Sequence, residues 1–265
     1  MFPPRRIICL TEETVETLYL LGEQDRIVGV SGYAVRPPQV RREKPRVSAF
    51  VSADFEKILA LEPDLVLTFS DLQADICAAL IRKGLAVHAF NQRTVAGILA
   101  MIRTLGALVD ASTKAEALIG SLEARIAVAR ERADALPRRP KVYFEEWDEP
   151  MISGIGWVSG LIEIAGGIEA FPALAKKGSA KDRIVSAGDV IASAPDIIVG
   201  SWCGKKFVPA KVASRPGFST IPAVRTGWLR EIKSPLILQP GPAALTDGLD
   251  ALAAIIAEWS RTVPA

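Results

Sequence analysis

Residues 47–70, VSAFVSADFEKILALEPDLVLTFS, decide the fold class of this chain. Helical spacing is shown by four apolar residues, Phe55, Ile58, Leu59 and Leu61. Pro63 predicts the end of this helix, because the residue before a proline avoids the α region. Residues 65–67 are all apolar, as in a strand buried on both faces. The run leads to Phe69 and Ser70, where an open α/β sheet presents side chains to a ligand.

A second segment, residues 184–204, repeats this pattern as IVSAGDVIASAPDIIVGSWCG. The anchors are Pro63-Asp64-Leu65-Val66 and Pro195-Asp196-Ile197-Ile198. Two copies about half a chain apart predict two similar lobes, each presenting strand ends. Chance similarity is the alternative, since Pro-Asp before a buried strand is common in α/β proteins.

Composition limits the classes of function. The 265 residues allow one large domain or two small ones, and 49% hydrophobic with 23% charged residues is typical of a soluble globular protein. The net charge of +2, with Lys and Arg dispersed along the chain, argues against a nucleic-acid partner. No run of 18 apolar residues is present, so the sequence predicts no membrane insertion.

The cysteines and the histidine give little support to a metal site. Cys9, Cys77 and Cys203 are far apart, which excludes a zinc ribbon and a disulfide framework. Cys203 stands at a predicted strand end, as a reactive thiol or metal ligand or, as we favour, a small packing residue. His88, the single histidine, is interpreted as structural because it lies within a predicted strand.

Strands alternate with helices at a spacing that predicts a mostly parallel sheet. Residues 112–136 differ, because they are rich in Ala, Glu, Arg and Leu and predict one long helix. This helix is either a surface helix or, as its position between the two repeats favours, a rigid connection between lobes. We therefore predict an N-terminal lobe (1–111), a linking helix (112–136) and a C-terminal lobe (137–265).

Two polar or glycine-rich segments are candidate sites. Glu145-Glu146-Trp147-Asp148-Glu149 groups carboxylates that act as acid and base, bind a hard cation, or simply form a solvated rim. The interleaved Trp147 suits a ligand wall. Gly154, Gly156 and Gly160 resemble a dinucleotide fingerprint, but the spacing is one residue too long, so a tight turn before a helix is the better interpretation.

Aromatic residues recur at predicted strand ends in both halves of the chain: Tyr33, Phe50, Phe69, Trp147, Trp157 and Trp202. Each alone is equally well explained as core. Together they predict a cleft lined for a large, partly flat ligand. No activated nucleophile is recognised, and G-x-S-x-G is absent from the sequence.

Three segments resemble a known family: Ser31-Gly32-Tyr33 with Pro37-Pro38, residues 55–66, and Ile152-Ser153-Gly154 with Gly166-Gly167. They are similar to the class III periplasmic binding proteins of ABC importers, and within them to vitamin B12 (cobalamin) binding proteins. The resemblance implies an α/β fold of two Rossmann-like lobes with mostly parallel sheets, joined by one long helix. It also implies a non-enzymatic monomer that clamps its ligand between the lobes.

The same resemblance implies that a corrinoid is the transported ligand and that no cofactor is needed. By position, the ligand-binding residues would be Tyr33, Phe50, Phe69, Trp147 and Trp202. Phe50 and Phe69 stand where the family often has tryptophan, so the binding pocket is expected to differ in shape.

The resemblance further implies docking on a membrane permease through one acidic residue per lobe. Glu56 matches the first of these, whereas the second position is Gly188, with Asp189 beside it. A periplasmic location is implied, yet residues 1–6 lead directly into a predicted strand without a signal peptide. The expectation is therefore a cytoplasmic protein if Met1 is the native start, and a periplasmic one if a signal has been removed.

Two alternatives remain open at this point. A ferric-siderophore or haem binding protein would use Lys205 and Lys206 for anionic groups, or Tyr33 as an axial ligand. A tetrapyrrole or metal-handling enzyme, such as a chelatase, would require His88 to meet the carboxylates of residues 145–149.

Overall fold

The computed structural model describes residues 2–262. Its contacts divide the chain into two compact units. The first contains the residues up to Gln92 together with Ala96–Leu122, and the second contains Arg93–Val95 and the residues from Glu123 onward. The domain limits that the sequence predicts stay a prediction, and each unit is described by itself.

The first unit is built on a five-stranded sheet of order β3-β2-β1-β4-β5, in which every pairing is parallel. Its strands are β1 (Ile7–Cys9), β2 (Ile27–Ser31), β3 (Arg46–Ser48), β4 (Leu65–Phe69) and β5 (Val87–Phe90). Its helices are α1 (Glu12–Leu20), α2 (Val40–Glu43), α3 (Phe55–Ala60), α4 (Ala74–Arg82) and α5 (Val95–Leu108). Because all strands are parallel, their carboxyl ends meet at one edge.

Helix α6 (Ser112–Asp134) carries the chain from the first unit to the second. A second five-stranded sheet follows, with β10-β9-β6-β7 in order and β8 paired to β6. Its strands are β6 (Lys141–Asp148), β7 (Met151–Ser153), β8 (Ile168–Glu169), β9 (Ile197–Gly200) and β10 (Leu229–Glu231). Only the β6–β7 pairing is antiparallel in this sheet of the described chain.

Short helices surround the second sheet. They are α7 (Gly156–Ile164), α8 (Pro172–Ala175), α9 (Ala187–Ser193), α10 (Pro209–Ala213), α11 (Pro222–Arg225) and α12 (Ser234–Ile237). A π-helical turn, Ala244–Gly248, leads into α13 (Leu249–Thr262). Within residues 2–262, no helix combines the length and the apolar character that crossing a membrane requires.

The sequence repeat has a structural counterpart in each unit. Asp54 and Ser186 occupy equivalent positions, and each caps its helix by accepting a backbone hydrogen bond, from Lys57 and Asp189 respectively. Asp64 Oδ1 accepts from the backbone N–H of Arg6, 2.9 Å away, just before β1. In the second unit Asp196 Oδ2 accepts from the backbone N–H of Lys141, 2.8 Å away, where β6 begins. Each Pro-Asp pair therefore ties the start of one strand to its neighbour.

One local expectation from the sequence, the position of Trp157, is wrong. Trp157 does not lie at a strand end but in the first turn of α7, where it is 3% exposed and its indole N–H donates to the Ile237 carbonyl at 2.8 Å. The glycines before it allow close packing, because a Cβ on Gly156 would lie 2.4 Å from the carbonyl oxygen of Arg93.

Candidate functional site

Three of the predicted ligand residues share the carboxyl edge of the first sheet. Phe69 ends β4, Tyr33 follows β2 and Phe50 follows β3. Their exposure differs, since Tyr33 is 52% exposed, Phe50 is half-buried and Phe69 is 6% exposed. Tyr33 therefore offers the largest accessible aromatic surface of the three.

Gln73 connects the loops that carry these aromatic residues. It is fully buried, and its Nε2 donates to the carbonyl oxygens of Leu10 at 3.2 Å and Phe50 at 2.8 Å. Its Oε1 accepts from the backbone N–H of Phe69 at 3.0 Å. One amide thus holds the backbone at the carboxyl ends of three strands, β1, β3 and β4. Sequence reasoning missed this residue, although a polar side chain soon after a buried strand was a usable signal.

The backbone next to Phe69 is strained. Ser70 has φ 66° and ψ 173°, a region that residues other than glycine rarely adopt. Its hydroxyl accepts from the backbone N–H of Leu72 at 3.3 Å, and the Gln73 amide holds the preceding residue. The strain lies at the edge of the sheet where ligands bind in open α/β folds.

Two buried carboxyl groups lie at the start of α1, on the same edge. Glu12 is 5% exposed and Glu13 is 1% exposed. Burial raises the pKa of Glu12 to about 7 and that of Glu13 to about 8, because ionisation in an apolar site is costly. The Thr11 side chain does not cap α1, and its hydroxyl donates to Glu13 Oε1 at 2.6 Å instead. Glu12 Oε2 has no hydrogen-bond partner among residues 2–262.

The two predicted tryptophans of the second unit lie at the carboxyl ends of neighbouring strands, β6 and β9. Trp147 stands near the end of β6, is partly exposed and donates its indole N–H to the Glu149 carbonyl at 2.9 Å. Trp202 follows β9, is 3% exposed and donates to Glu145 Oε1 at 2.9 Å. Trp147 therefore presents accessible aromatic surface, whereas Trp202 is packed below the surface.

Glu145 organises the polar interior beneath these indoles. It is fully buried and binds the Arg215 guanidinium through both oxygens, at 2.5 and 2.9 Å. Tyr143 donates its hydroxyl to Glu145 Oε2 at 3.1 Å, and burial is the main cause that raises the Tyr143 pKa. Burial opposes the charge on Arg215, but its hydrogen bonds to Glu145 outweigh burial and raise its pKa. The carboxylate of Glu145 is thus structural rather than part of a solvated rim.

Asp148, at the end of β6, forms ion pairs with two lysines. Its buried carboxylate pairs with Lys205 through Oδ1 and with Lys211 through Oδ2, the latter at 2.8 Å. Burial opposes ionisation of Asp148, yet the hydrogen bonds from both ammonium groups lower its pKa. The Lys205 ammonium also lies 3.9 Å from the ring centroid of Trp147. Sequence reasoning missed Lys211, because nothing in its local pattern links it to Asp148.

The buried ring of Phe207 anchors the loop that follows β9. The Phe207 ring is fully buried and meets Trp202 edge-on, with 5.0 Å between centroids. Gly200 makes room for this ring, since a Cβ there would lie 1.9 Å from Phe207 Cδ2. The backbone N–H of Phe207 donates to Glu231 Oε1 at 3.0 Å. These contacts hold the segment that carries Cys203 and Lys205, and Cys203 is exposed on it.

The two residues predicted to dock on a permease have different surroundings. Glu56 is exposed in the first turn of α3. Asp189 is exposed in α9, but its Oδ2 accepts from the Ser186 hydroxyl at 2.6 Å and from the Ser186 N–H at 2.8 Å. These bonds lower the pKa of Asp189. Their role in docking stays a prediction.

Among residues 2–262, no group of three or more His, Cys, Asp or Glu side chains is arranged to hold a metal ion. His88 lies in β5 of the first unit, 4.3 Å from the Phe90 ring, and partial burial lowers its pKa. The carboxylates of residues 145–149 belong to the second unit.

A groove of about 960 Å³ in the second unit lies away from these strand ends. It runs between α6 and α13 and is lined largely by alanines, with the Arg125–Asp250 ion pair among its residues. None of the predicted ligand residues lines it.

A family model described as Periplasmic binding protein matches residues 7–236 of this sequence. The chain belongs to the periplasmic binding protein family. Proteins of this family bind solutes and are not enzymes, so the prediction of a non-enzymatic protein is confirmed and the chelatase alternative is set aside.

Three relatives illustrate the similarity. A Halobacterium salinarum protein named cobalamin-binding protein is 25% identical over 248 residues, which are 90% of this chain and 66% of that protein. The chain thus spans about two thirds of that relative. A Bacillus subtilis protein named uncharacterized ABC transporter substrate-binding lipoprotein YvrC is 27% identical over 257 residues, covering 94% of this chain and 79% of its own.

The third relative is a solved structure, the periplasmic heme-binding protein RhuT from Roseiflexus sp. RS-1 in apo form. It superposes with a TM-score of 0.84 at 23% identity and covers 97% of this chain and 99% of its own. At this identity the likeness concerns the fold alone. The predicted fold, two Rossmann-like α/β lobes joined by a long helix, is confirmed.

Proposed function

We propose that this protein captures a corrinoid, cobalamin or cobinamide, outside the cytoplasm and delivers it to the permease of an ABC importer. The observation that carries the proposal is the exposed ring of Tyr33 at the carboxyl edge of the first sheet, 52% accessible despite its size. Membership of the periplasmic binding protein family supports a binding role for this protein, and the Halobacterium salinarum relative is named cobalamin-binding protein.

The chemistry of a corrinoid suits the aromatic residues of each unit. A corrin ring is broad, flat and largely apolar at its faces, and burying such a surface against aromatic rings is favourable. Tyr33 supplies an accessible ring in the first unit and Trp147 supplies one in the second. Phe50 and Phe69 would shape the surface beside Tyr33, where the Gln73 amide fixes their backbone.

The test is titration of the purified protein with cyanocobalamin and with cobinamide, by calorimetry and visible absorbance. We expect one-to-one binding at micromolar concentration or tighter, weakened at least tenfold by Tyr33→Ala and by Trp147→Ala. The matched control is Phe2→Ala, which removes a ring 69% exposed that precedes β1, at the amino end of the strand. Absence of binding to both corrinoids would refute the proposal and leave the family assignment intact.

Haem is the second candidate, because the exposed Tyr33 offers a phenol, a group that serves as an axial iron ligand in some haem proteins. Haemin titration distinguishes the two ligands. A tyrosine-ligated spectrum that Tyr33→Phe abolishes would favour haem, whereas unchanged corrinoid affinity in Tyr33→Phe would show that the ring, not the hydroxyl, is used.

Delivery to a permease is proposed to involve Glu56 and Asp189, one from each unit. Charge reversal at either position should weaken stimulation of a reconstituted importer while leaving the corrinoid Kd unchanged. Glu131→Arg, on the exposed side of α6, is the control. If Glu56→Arg stimulates the importer as well as the wild type does, Glu56 has no part in docking.

A further inference from the structure

Two lysine ammonium groups lie at the surface beside the end of β6, and the exposed carboxylate of Glu149 follows the same strand and interacts with Lys211. One buried carboxylate, Asp148, faces two ammonium groups, those of Lys205 and Lys211. The lysine side chains are 39% and 51% exposed, whereas that of Asp148 is fully buried. Each ammonium has three N–H donors, so both keep donors for a group arriving from solvent.

Aromatic surface adjoins the two ammonium groups. The Lys205 ammonium lies 3.9 Å from the centroid of Trp147 and 5.5 Å from that of Trp202, and Lys211 lies 5.7 Å from Trp202. Because the Lys205 ammonium covers one face of the Trp147 indole, a ligand that reaches the exposed part of this indole comes next to Lys205, and Asp148 holds Lys211 beside it. The second buried carboxylate nearby, Glu145, does not neutralise them, because Arg215 holds both of its oxygens.

We propose that Lys205 and Lys211 form a subsite for an anionic group attached to a flat ligand. This inference rests on the proposed function and narrows it to corrinoids that carry a phosphate, namely the phosphodiester of cobalamin or the phosphate of cobinamide phosphate. Carboxylates of a porphyrin share the same chemistry and are the second possible source. The buried Phe207 ring anchors the loop that carries Lys205, so this loop needs little further ordering when the ligand binds.

The test compares cobinamide with cobinamide phosphate, which differ only in the anionic group, and adds cyanocobalamin and haemin. The wild type is expected to bind cobinamide phosphate about tenfold tighter than cobinamide, with the preference falling as salt rises. Lys205→Gln and Lys211→Gln should each reduce that preference about threefold or more. Neither should weaken the binding of cobinamide.

Lys233→Gln is the matched control. Lys233 is 61% exposed and pairs with one carboxylate, Glu231, at 2.8 Å, just beyond β10 of the same sheet. Its replacement should leave the preference unchanged. Loss of affinity for cobinamide and its phosphate by equal factors in Lys211→Gln would indicate a purely structural lysine and overturn the inference.

The two proposals fail in different ways. Equal affinity of the wild type for cobinamide and its phosphate overturns the anionic subsite but leaves corrinoid capture standing. Binding of haemin alone, weakened by Lys205→Gln and Lys211→Gln, overturns corrinoid capture and assigns the subsite to carboxylates. Absence of binding to all of these ligands overturns both.

Discussion

Glu145 and Arg215 form a bidentate ion pair inside the second unit, with N–O distances of 2.5 and 2.9 Å. The Glu145 side chain is fully buried and that of Arg215 is 14% exposed. Tyr143 and Trp202 donate further hydrogen bonds to the same carboxylate. The pair thus supports the indole next to the candidate ligand surface.

Glu145→Gln should lower the free energy of unfolding by roughly 3–5 kcal/mol, because it leaves a buried guanidinium without its counter-charge. Urea denaturation measures the change. The control is Glu116→Gln, whose partner Arg103 and own side chain are both more than half exposed, and it should cost less than about 1 kcal/mol. The double variant Glu145→Gln with Arg215→Met should regain part of the lost free energy of unfolding, because no unpaired guanidinium remains. Strictly additive effects of the two substitutions on stability would contradict the pairing.

Gln73→Met should destabilise the first unit by about 2–4 kcal/mol, since it leaves buried backbone groups of Leu10, Phe50 and Phe69 without their partner. Hydrogen exchange should accelerate at the Phe69 amide in particular. Gln39→Met, at a half-buried position before α2, is the control and should change stability by less than about 0.5 kcal/mol. Unchanged exchange at Phe69 would show that the Gln73 amide does not hold β4.

The buried carboxyl groups of α1 predict a pH dependence of stability. The folded-state pKa values of Glu12 and Glu13, about 7 and about 8, lie above the ordinary value of 4.5. Below about pH 4.5 both states are protonated, so full stability is present. As pH rises toward 8 the unfolded state has released protons that the folded state still holds, and the free energy of unfolding therefore falls.

Glu12→Gln with Glu13→Gln should flatten this fall between pH 5 and pH 8. Each pKa unit is equivalent to about 1.4 kcal/mol. Urea denaturation at four pH values gives the slope, and Glu131→Gln on the exposed side of α6 is the control. Cys9 lies near Glu13, but burial raises the Cys9 pKa to about 12, outside this range. An identical slope in the double variant would refute the assignment.

Gly200→Ala should destabilise the second unit by about 1–3 kcal/mol, because its Cβ would overlap the Phe207 ring. A lower Tm and altered Trp202 fluorescence are the expected readouts. Gly120→Ala is the contrasting control, since nothing lies within 4 Å of a Cβ there and alanine favours the helix. In the double variant Gly200→Ala with Phe207→Ala the overlap is removed, so the two losses of stability should be less than additive. If Phe207→Ala costs as much stability in the Gly200→Ala background as it does alone, the overlap is contradicted.

The sequence by itself determined the elements and their repetition. Hydrophobic runs and Pro-Asp turns act within a few residues, so the equivalence of Asp64 and Asp196 is recognisable before any contact is known. The α/β class and the long helix α6 follow from these local signals. The position of Trp157 in the first turn of α7 did not follow from local signals, because a glycine-rich turn and the start of a helix look alike in sequence.

Only the tertiary structure decided which polar groups meet. Arg215 reaches Glu145 across 70 positions, Lys211 reaches Asp148 across 63, and Gln73 reaches Leu10 across 63. No spacing rule selects such partners, because sheet register and loop packing bring them together. The same packing separates Trp147, which remains accessible, from Trp202, which is buried, although both are strand-end tryptophans in the sequence.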